Sequence, residues 1–146
     1  MANCRYSIIL TIIGALFLAG LSEQPTAAQT LSDTLYVKSF VLTTDVENHE
    51  PVDTVQAFAK SIDYKAFCHA RIFNGNGDRT LRFRWIRDGE VFMTRPVTIG
   101  ESTRFRTYTS IVTEPGRWEV QLLDEQDRIL ARKAFSILEA TVQSER

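Results

Sequence analysis

The stretch TLRFRWIRDGEVFMTRPVTI, residues 80–99, decides the fold. Two runs rich in β-branched and aromatic residues flank Asp88-Gly89, a pair that takes positive φ cheaply and is the strongest short-range sign of a β-hairpin. Side chains alternate along a strand, so Leu81, Phe83 and Trp85 share one face while Arg82 and Arg84 share the other. On the returning run, Val91, Met93, Val97 and Ile99 are expected inward, with Phe92, Thr94, Pro96 and Thr98 outward. The unit reads as a half-buried antiparallel ribbon, apolar within and basic without.

The same grammar holds on both sides of this ribbon. Leu35 to Thr43 is a first run, and Tyr64 to Phe73 is a second that closes on Asn74-Gly75-Asn76-Gly77. Gly100 separates the central ribbon from Ser102 to Val112, and Pro115-Gly116 separates that run from Arg117 to Leu123. Asp124-Glu125-Gln126-Asp127 then leads into Arg128 to Leu138. Seven strands with turn signals about every ten residues predict an all-β, antiparallel sandwich of the immunoglobulin-like kind. Trp118, Val120 and Leu122 form another inward row, as do Phe135 and Ile137. Tyr64–Phe73 is apolar on both faces. Ala66, Cys68, Ala70 and Ile72 are its favoured inward set, and a slip of one residue would reverse it. One short helix or helical turn is expected after the first strand, because Val55, Phe58, Ala59 and Ile62 recur at helical spacing and Asp53 with Gln56 resembles a capping box.

The chain begins with an address. Arg5 precedes an apolar run of 14 residues, Ile8 to Leu21, and small residues follow as far as Ala28. This is the layout of a secretory signal peptide cut between Ala28 and Gln29, and the run is short for a span, which needs about 20 apolar residues. An uncleaved anchor is the alternative. Cys4 lies before the run and so is not a lipidation site. The expected organisation is a signal peptide over 1–28, a flexible mature start over 29–34, a single domain over 35–138 and a frayed tail over 139–146. The expected destination is the periplasm or the exterior, with no integral membrane segment after cleavage.

Cleavage leaves Cys68 as the only cysteine, so no internal disulfide forms and packing alone must stabilise the domain. The expected role of Cys68 is a small buried hydrophobe. The net charge of −1 implies neither nucleic acid nor an acidic membrane as partner. Its distribution is uneven: residues 71–117 hold nine arginines and no lysine against five acids.

Particular residues carry a family resemblance. They are His49-Glu50-Pro51-Val52-Asp53, Phe67, Asn74, Arg84-Trp85 before Asp88-Gly89, and Arg104-Phe105-Arg106-Thr107-Tyr108-Thr109-Ser110. Gly116-Arg117-Trp118-Glu119-Val120 and Phe135 complete the series. In order and spacing, roughly over residues 37–138, the chain resembles domain of unknown function 2914, a bacterial family of secreted and envelope proteins. Phe83 stands where that pattern usually has a histidine, and Ile111 where it tends to lysine. The resemblance implies a compact β domain in the envelope and carries over no activity and no site residue.

The residues offer little for catalysis. Cys68 and His69 are neighbours on one strand and point to opposite faces, so they cannot form a dyad. No Gly-x-Ser-x-Gly elbow or phosphate-binding loop is present. His49, Glu50, Asp45 and Asp53 crowd one loop, where turn capping is the plainer reading than metal binding. No catalytic residue, metal or cofactor is expected. The sharpest constellation is basic. Were residues 80–112 a three-stranded meander, Arg82, Arg84, Arg104 and Arg106 would surround Phe92 and Tyr108 on one polar face. Guanidiniums around aromatics suit an anionic glycan or lipid headgroup. The expectation is therefore an exported, non-enzymatic binding or interaction module. The alternatives are a small envelope hydrolase using Glu50 and Asp53 around His49, and a structural accessory that docks on another envelope protein by strand addition.

Overall fold

The computed structural model describes residues 34–60 and 62–139. The expected signal segment, the mature start up to residue 33 and the tail from residue 140 lie outside the described residues. Ten strands follow in order: β1 (Leu35–Thr43), β2 (Val46–Glu47), β3 (Glu50–Pro51), β4 (Ala57–Ala59), β5 (Lys65–Asn74), β6 (Arg79–Arg87), β7 (Glu90–Ile99), β8 (Ser102–Val112), β9 (Gly116–Leu123) and β10 (Ile129–Leu138). The seven long ones match the expected runs within a residue or two at most ends. They form two packed sheets, one of three strands in the order β1-β5-β8 and one of five in the order β4-β10-β9-β6-β7. Every pairing in both sheets is antiparallel except the short β4–β10 ladder, which is parallel.

The turn chemistry explains the strand ends. Asp88 and Gly89 take φ of 50° and 90°, the two positive values of a type I′ turn, and Arg87 pairs with Glu90 across it. Asn74 is buried, and its amide donates to the carbonyls of Gly77 (2.6 Å) and Gly100 (3.0 Å), tying two turns together. The core between the sheets contains the inward rows read from the sequence: Leu81, Phe83 and Trp85; Trp118, Val120 and Leu122; Ala66, Cys68, Ala70 and Ile72; and Phe135 and Ile137. Trp85 and Phe135 meet edge to face at 6.1 Å, and Trp118 stacks on Phe135 at 6.4 Å.

Three expectations need correction. Among the described residues no helix follows Pro51; a single turn closes at Ala59, whose carbonyl accepts from the Ile62 (2.9 Å) and Asp63 (2.8 Å) amides. Phe58 is buried on β4, beside β10 and 5.6 Å from the Phe135 ring, while Val55 bridges Leu42. Asp53 caps backwards instead of opening a helix: its carboxylate accepts from the Thr44 amide (2.9 Å) and from the hydroxyls of Thr43 and Thr44 (both 2.7 Å). On β7 only Ile99 is buried; Met93 and Val97 are half-covered and Val91 is 60% exposed. The meander is also absent, because the turn at Gly100 carries the chain from one sheet to the other. Among the described residues β7 pairs with β6 alone and β8 with β5 alone.

Candidate functional site

Because β7 and β8 lie in different sheets, the six basic and aromatic candidates fall into three places. Arg82 and Arg84 stand on the outer face of the five-stranded sheet. Arg104, Arg106 and Tyr108 stand on β8, on the outer face of the three-stranded sheet. Phe92 lies with neither group. A bulge between Trp85 and Ile86 leaves it without a ladder partner, and its ring meets the core residue Trp118 edge to face at 5.0 Å.

On the five-stranded sheet the arginines hold a turn. Asp127, at φ 63°, accepts from Arg82 at 3.0 Å and Arg84 at 3.3 Å, and Arg82 also donates to the Asp124 carbonyl at 2.9 Å. The Asp124 carboxylate is buried beneath them and accepts from the amides of Gln126 and Arg128, both at 2.9 Å, and from Arg128 Nε at 2.6 Å. Burial alone would raise the Asp124 pKa, but these hydrogen bonds outweigh it and hold the carboxyl below its usual range. Arg82 and Arg84 are thus occupied with the strand connection 124–127.

The outer face of the three-stranded sheet is built differently. Its central strand β5 turns Phe67, His69 and Arg71 outward, opposite Ser110, Tyr108 and Arg106 of β8. The β2–β3 hairpin folds over that face. Its two turn residues, Asn48 and His49, take φ of 50° and 62°, again a type I′ turn, and Val46 pairs with Pro51. This turn sets the His49 carbonyl 2.9 Å from His69 Nε2, which donates to it, and fixes the imidazole tautomer. His69 is wholly buried although it lies on an outer face, and its Nδ1 has no hydrogen-bond partner among the described residues. Burial lowers the His69 pKa; the His49 carbonyl and the Glu50 charge oppose the shift without cancelling it.

One residue further along, Glu50 bridges two strands. It accepts from Arg71 and, at 2.5 Å, from Arg106. The hydrogen bond from Arg71 holds its carboxyl below the usual range against a smaller opposing effect of burial. Around this clamp lie three rings: His49 sits 6.5 Å and Phe67 6.3 Å from the half-exposed Tyr108. Arg104 is exposed at the start of β8 and makes no ion pair among the described residues. Two guanidiniums share one carboxylate and a third has none, so this face carries a surplus of positive charge.

The acids proposed for hydrolysis are committed elsewhere, Glu50 to two arginines and Asp53 to two threonines. Cys68 faces the core while His69 faces the hairpin, and burial pushes the Cys68 thiol well above its ordinary pKa. Arg71, Phe67 and His69 are members of the basic face that the sequence reading did not place there. Alternation against the inward set Ala66, Cys68, Ala70 and Ile72 was signal enough to turn them outward. Their pairing with β8, more than 30 residues on, had no local sign.

A structure similar to this chain is that of an immunoglobulin-like protein from Pseudomonas aeruginosa. It is 14% identical, the match covers 71% of this chain and 96% of that one, and the TM-score is 0.52. A beta-glucosidase from Kluyveromyces marxianus aligns at 12% identity over 68% of this chain and 14% of its own, with a TM-score of 0.41. The CARDB domain of a Pyrococcus furiosus protein, in complex with di-metal ions, aligns at 12% identity over 70% and 90%, with a TM-score of 0.40. The first of these shows the fold to be immunoglobulin-like. A comparison with curated proteins returns no match. The model of the family described as protein of unknown function, DUF2914, matches residues 78–137, and the family resemblance read from the motifs is thereby supported: from the turn before β6 into β10 the chain carries the DUF2914 pattern.

Proposed function

We propose that this protein is an exported, non-enzymatic binding module of the bacterial envelope, and that it takes an anionic glycan or lipid headgroup on the outer face of its three-stranded sheet. One observation carries the reading: Arg71 and Arg106 share Glu50 beside Tyr108, while Arg104 stands exposed with no ion pair among the described residues. Such a face offers bidentate guanidinium donors, an aromatic platform for stacking and a positive field. The leading apolar segment supplies the envelope part of the proposal. Of the six residues expected to form a site, Arg104, Arg106 and Tyr108 belong to it, and Arg71 replaces Arg82 and Arg84.

The test is sedimentation with vesicles of phosphatidylglycerol against vesicles of phosphatidylcholine, and retention on immobilised polygalacturonate. Binding to either anionic surface should weaken steeply as salt rises, because exposed charges are screened over about 8–10 Å at physiological ionic strength. Absence of binding to both at low salt would overturn the proposal. Mass measurement on protein recovered from the host envelope should give a chain starting at Gln29, and a full-length membrane-embedded chain would reject the export reading in favour of an anchor.

A further inference from the structure

A two-sheet sandwich has four sheet edges, and three of these are closed to further pairing. β4 is only three residues long. β1 is interrupted by a register shift between Val37 and Ser39 that leaves the exposed Lys38 unpaired, and Val55 bridges its far end at Leu42. β7 carries Pro96, which has no N–H to give, and the exposed Arg95 on its inner side opposite Phe83. Short length, bulges, lysine, proline and inward charge are the devices by which edges are protected from strand addition.

β8 has none of them over most of its length. Its register with β5 shifts only at its start, between Ile72 and Asn74, and then runs without a break from Phe105 to Val112, with neither proline nor lysine. Its other side pairs with no strand among the described residues. The two sheets are unequal, and the place next to β8 is where the wider sheet lacks cover. There the inner side chains of β7 stop being buried: Met93 and Val97 touch the core but are only half-covered, and Arg95 between them is exposed, while the bulge turns Val91 to the face of Ile86.

We infer that the free edge of β8 receives an extended peptide segment of a partner protein, with acidic and apolar residues alternating along it. A strand added there hydrogen-bonds to β8 through its backbone, and its side chains alternate between two surroundings. Those on the outer side meet Arg106, Tyr108 and the exposed Arg104, which calls for carboxylates. Those on the inner side fall over the uncovered parts of Met93 and Val97 and the aliphatic stem of Arg95, which calls for valine- or leucine-like residues. The strand addition itself rests on the backbone of β8 and on the uncovered side of β7; only the demand for carboxylates shares Arg104, Arg106 and Tyr108 with the glycan or headgroup reading.

The probe is a nine-residue peptide of alternating valine and glutamate, titrated into the purified protein. Two further versions carry N-methyl groups on alternate residues, one on each of the two backbone registers. Strand addition uses the N–H groups of one register only, so one methylated version should lose affinity by at least ~10-fold and the other should stay within about two-fold. Amide exchange of β8 should slow when the unmodified peptide binds, and Met93→Glu should weaken the peptide without altering vesicle binding. If both methylated versions bind like the parent, the attraction is charge alone and the inference fails, while the proposed anionic face survives. A stable dimer in the absence of peptide, with β8 amides already protected, would assign the edge to a second copy and overturn the inference as well.

Discussion

The two outer faces of the sandwich are both rich in arginine, and they differ in what those arginines do. On the five-stranded sheet, Arg82 and Arg84 converge on Asp127 and secure the 124–127 connection. On the three-stranded sheet, Arg71 and Arg106 divide Glu50 between them while Arg104 has no acid among the described residues. The same residue type thus serves a turn in one place and leaves charge to spare in the other. Counting arginines along the chain cannot separate these cases. What separates them is which loop acid each sheet brings within reach.

Both faces stand on one core, and damage to that core should cost the most. Trp85 is wholly buried between the sheets and Trp118 nearly so. Truncating a buried aromatic costs about 3–5 kcal/mol, against a total of about 5–15 kcal/mol for a domain. Either Trp85→Ala or Trp118→Ala should therefore unfold most of the protein at growth temperature, as read by circular dichroism melts. A shift of only a few degrees in both would mean that the faces do not share a core.

A smaller effect distinguishes the faces by pH. His69 lies beneath the hairpin of the three-stranded face, near His49, Glu50, Arg71, Arg106 and Tyr108, and has no counterpart on the other sheet. Its pKa is lowered in the folded protein, so the unfolded chain takes up the proton more readily. Its contribution is complete above the unfolded value of about 6.5 and is lost as pH falls below it. Denaturant midpoints should decline from pH 7.5 to pH 5, a window above the titration of the lowered carboxyls Glu50, Asp53 and Asp124. His69→Gln should flatten that decline, because a carboxamide does not titrate in this range yet can still donate to the His49 carbonyl. An unchanged slope in His69→Gln would remove the imidazole from the account.

Asp127→Asn should have the least effect on stability. It weakens the pairs with two partly exposed arginines, which are worth about 0–1 kcal/mol. The melt should move by a few degrees at most, but the variant releases the charge of Arg84 and leaves Arg82 held only by the Asp124 and Glu125 carbonyls. If the faces differ only by their neutralising acids, it should also create anion binding on the five-stranded side.

These regions differ too in how far the sequence disclosed them. Strand ends were legible because Asp88-Gly89, Asn74-Gly75-Asn76-Gly77 and Pro115-Gly116 impose local backbone geometry. Inward rows were legible because alternation is a property of a single strand. Partnership between strands was not. The order of the chain favoured placing the strand at Ser102–Val112 beside Glu90–Ile99, yet a short connection at Gly100 serves equally to join a neighbour or to cross to the opposite sheet. That choice turns on how the whole core closes. The helical spacing of Val55, Phe58 and Ile62 misled for a related reason: Phe58 is drawn onto β4 by the Phe135 side of the core, and tertiary packing outweighs a weak local preference.

The central claim is that anions bind the three-stranded face and not the five-stranded one. The most direct test compares two double variants, Arg104→Ser with Tyr108→Ala and Arg82→Ser with Arg84→Ser, for sedimentation with phosphatidylglycerol vesicles and retention on polygalacturonate at matched salt. The first pair should lose most of the parent's binding while keeping its melting temperature within a few degrees, and the second pair should bind as the parent does. Binding that survives the first pair and disappears with the second would contradict the claim.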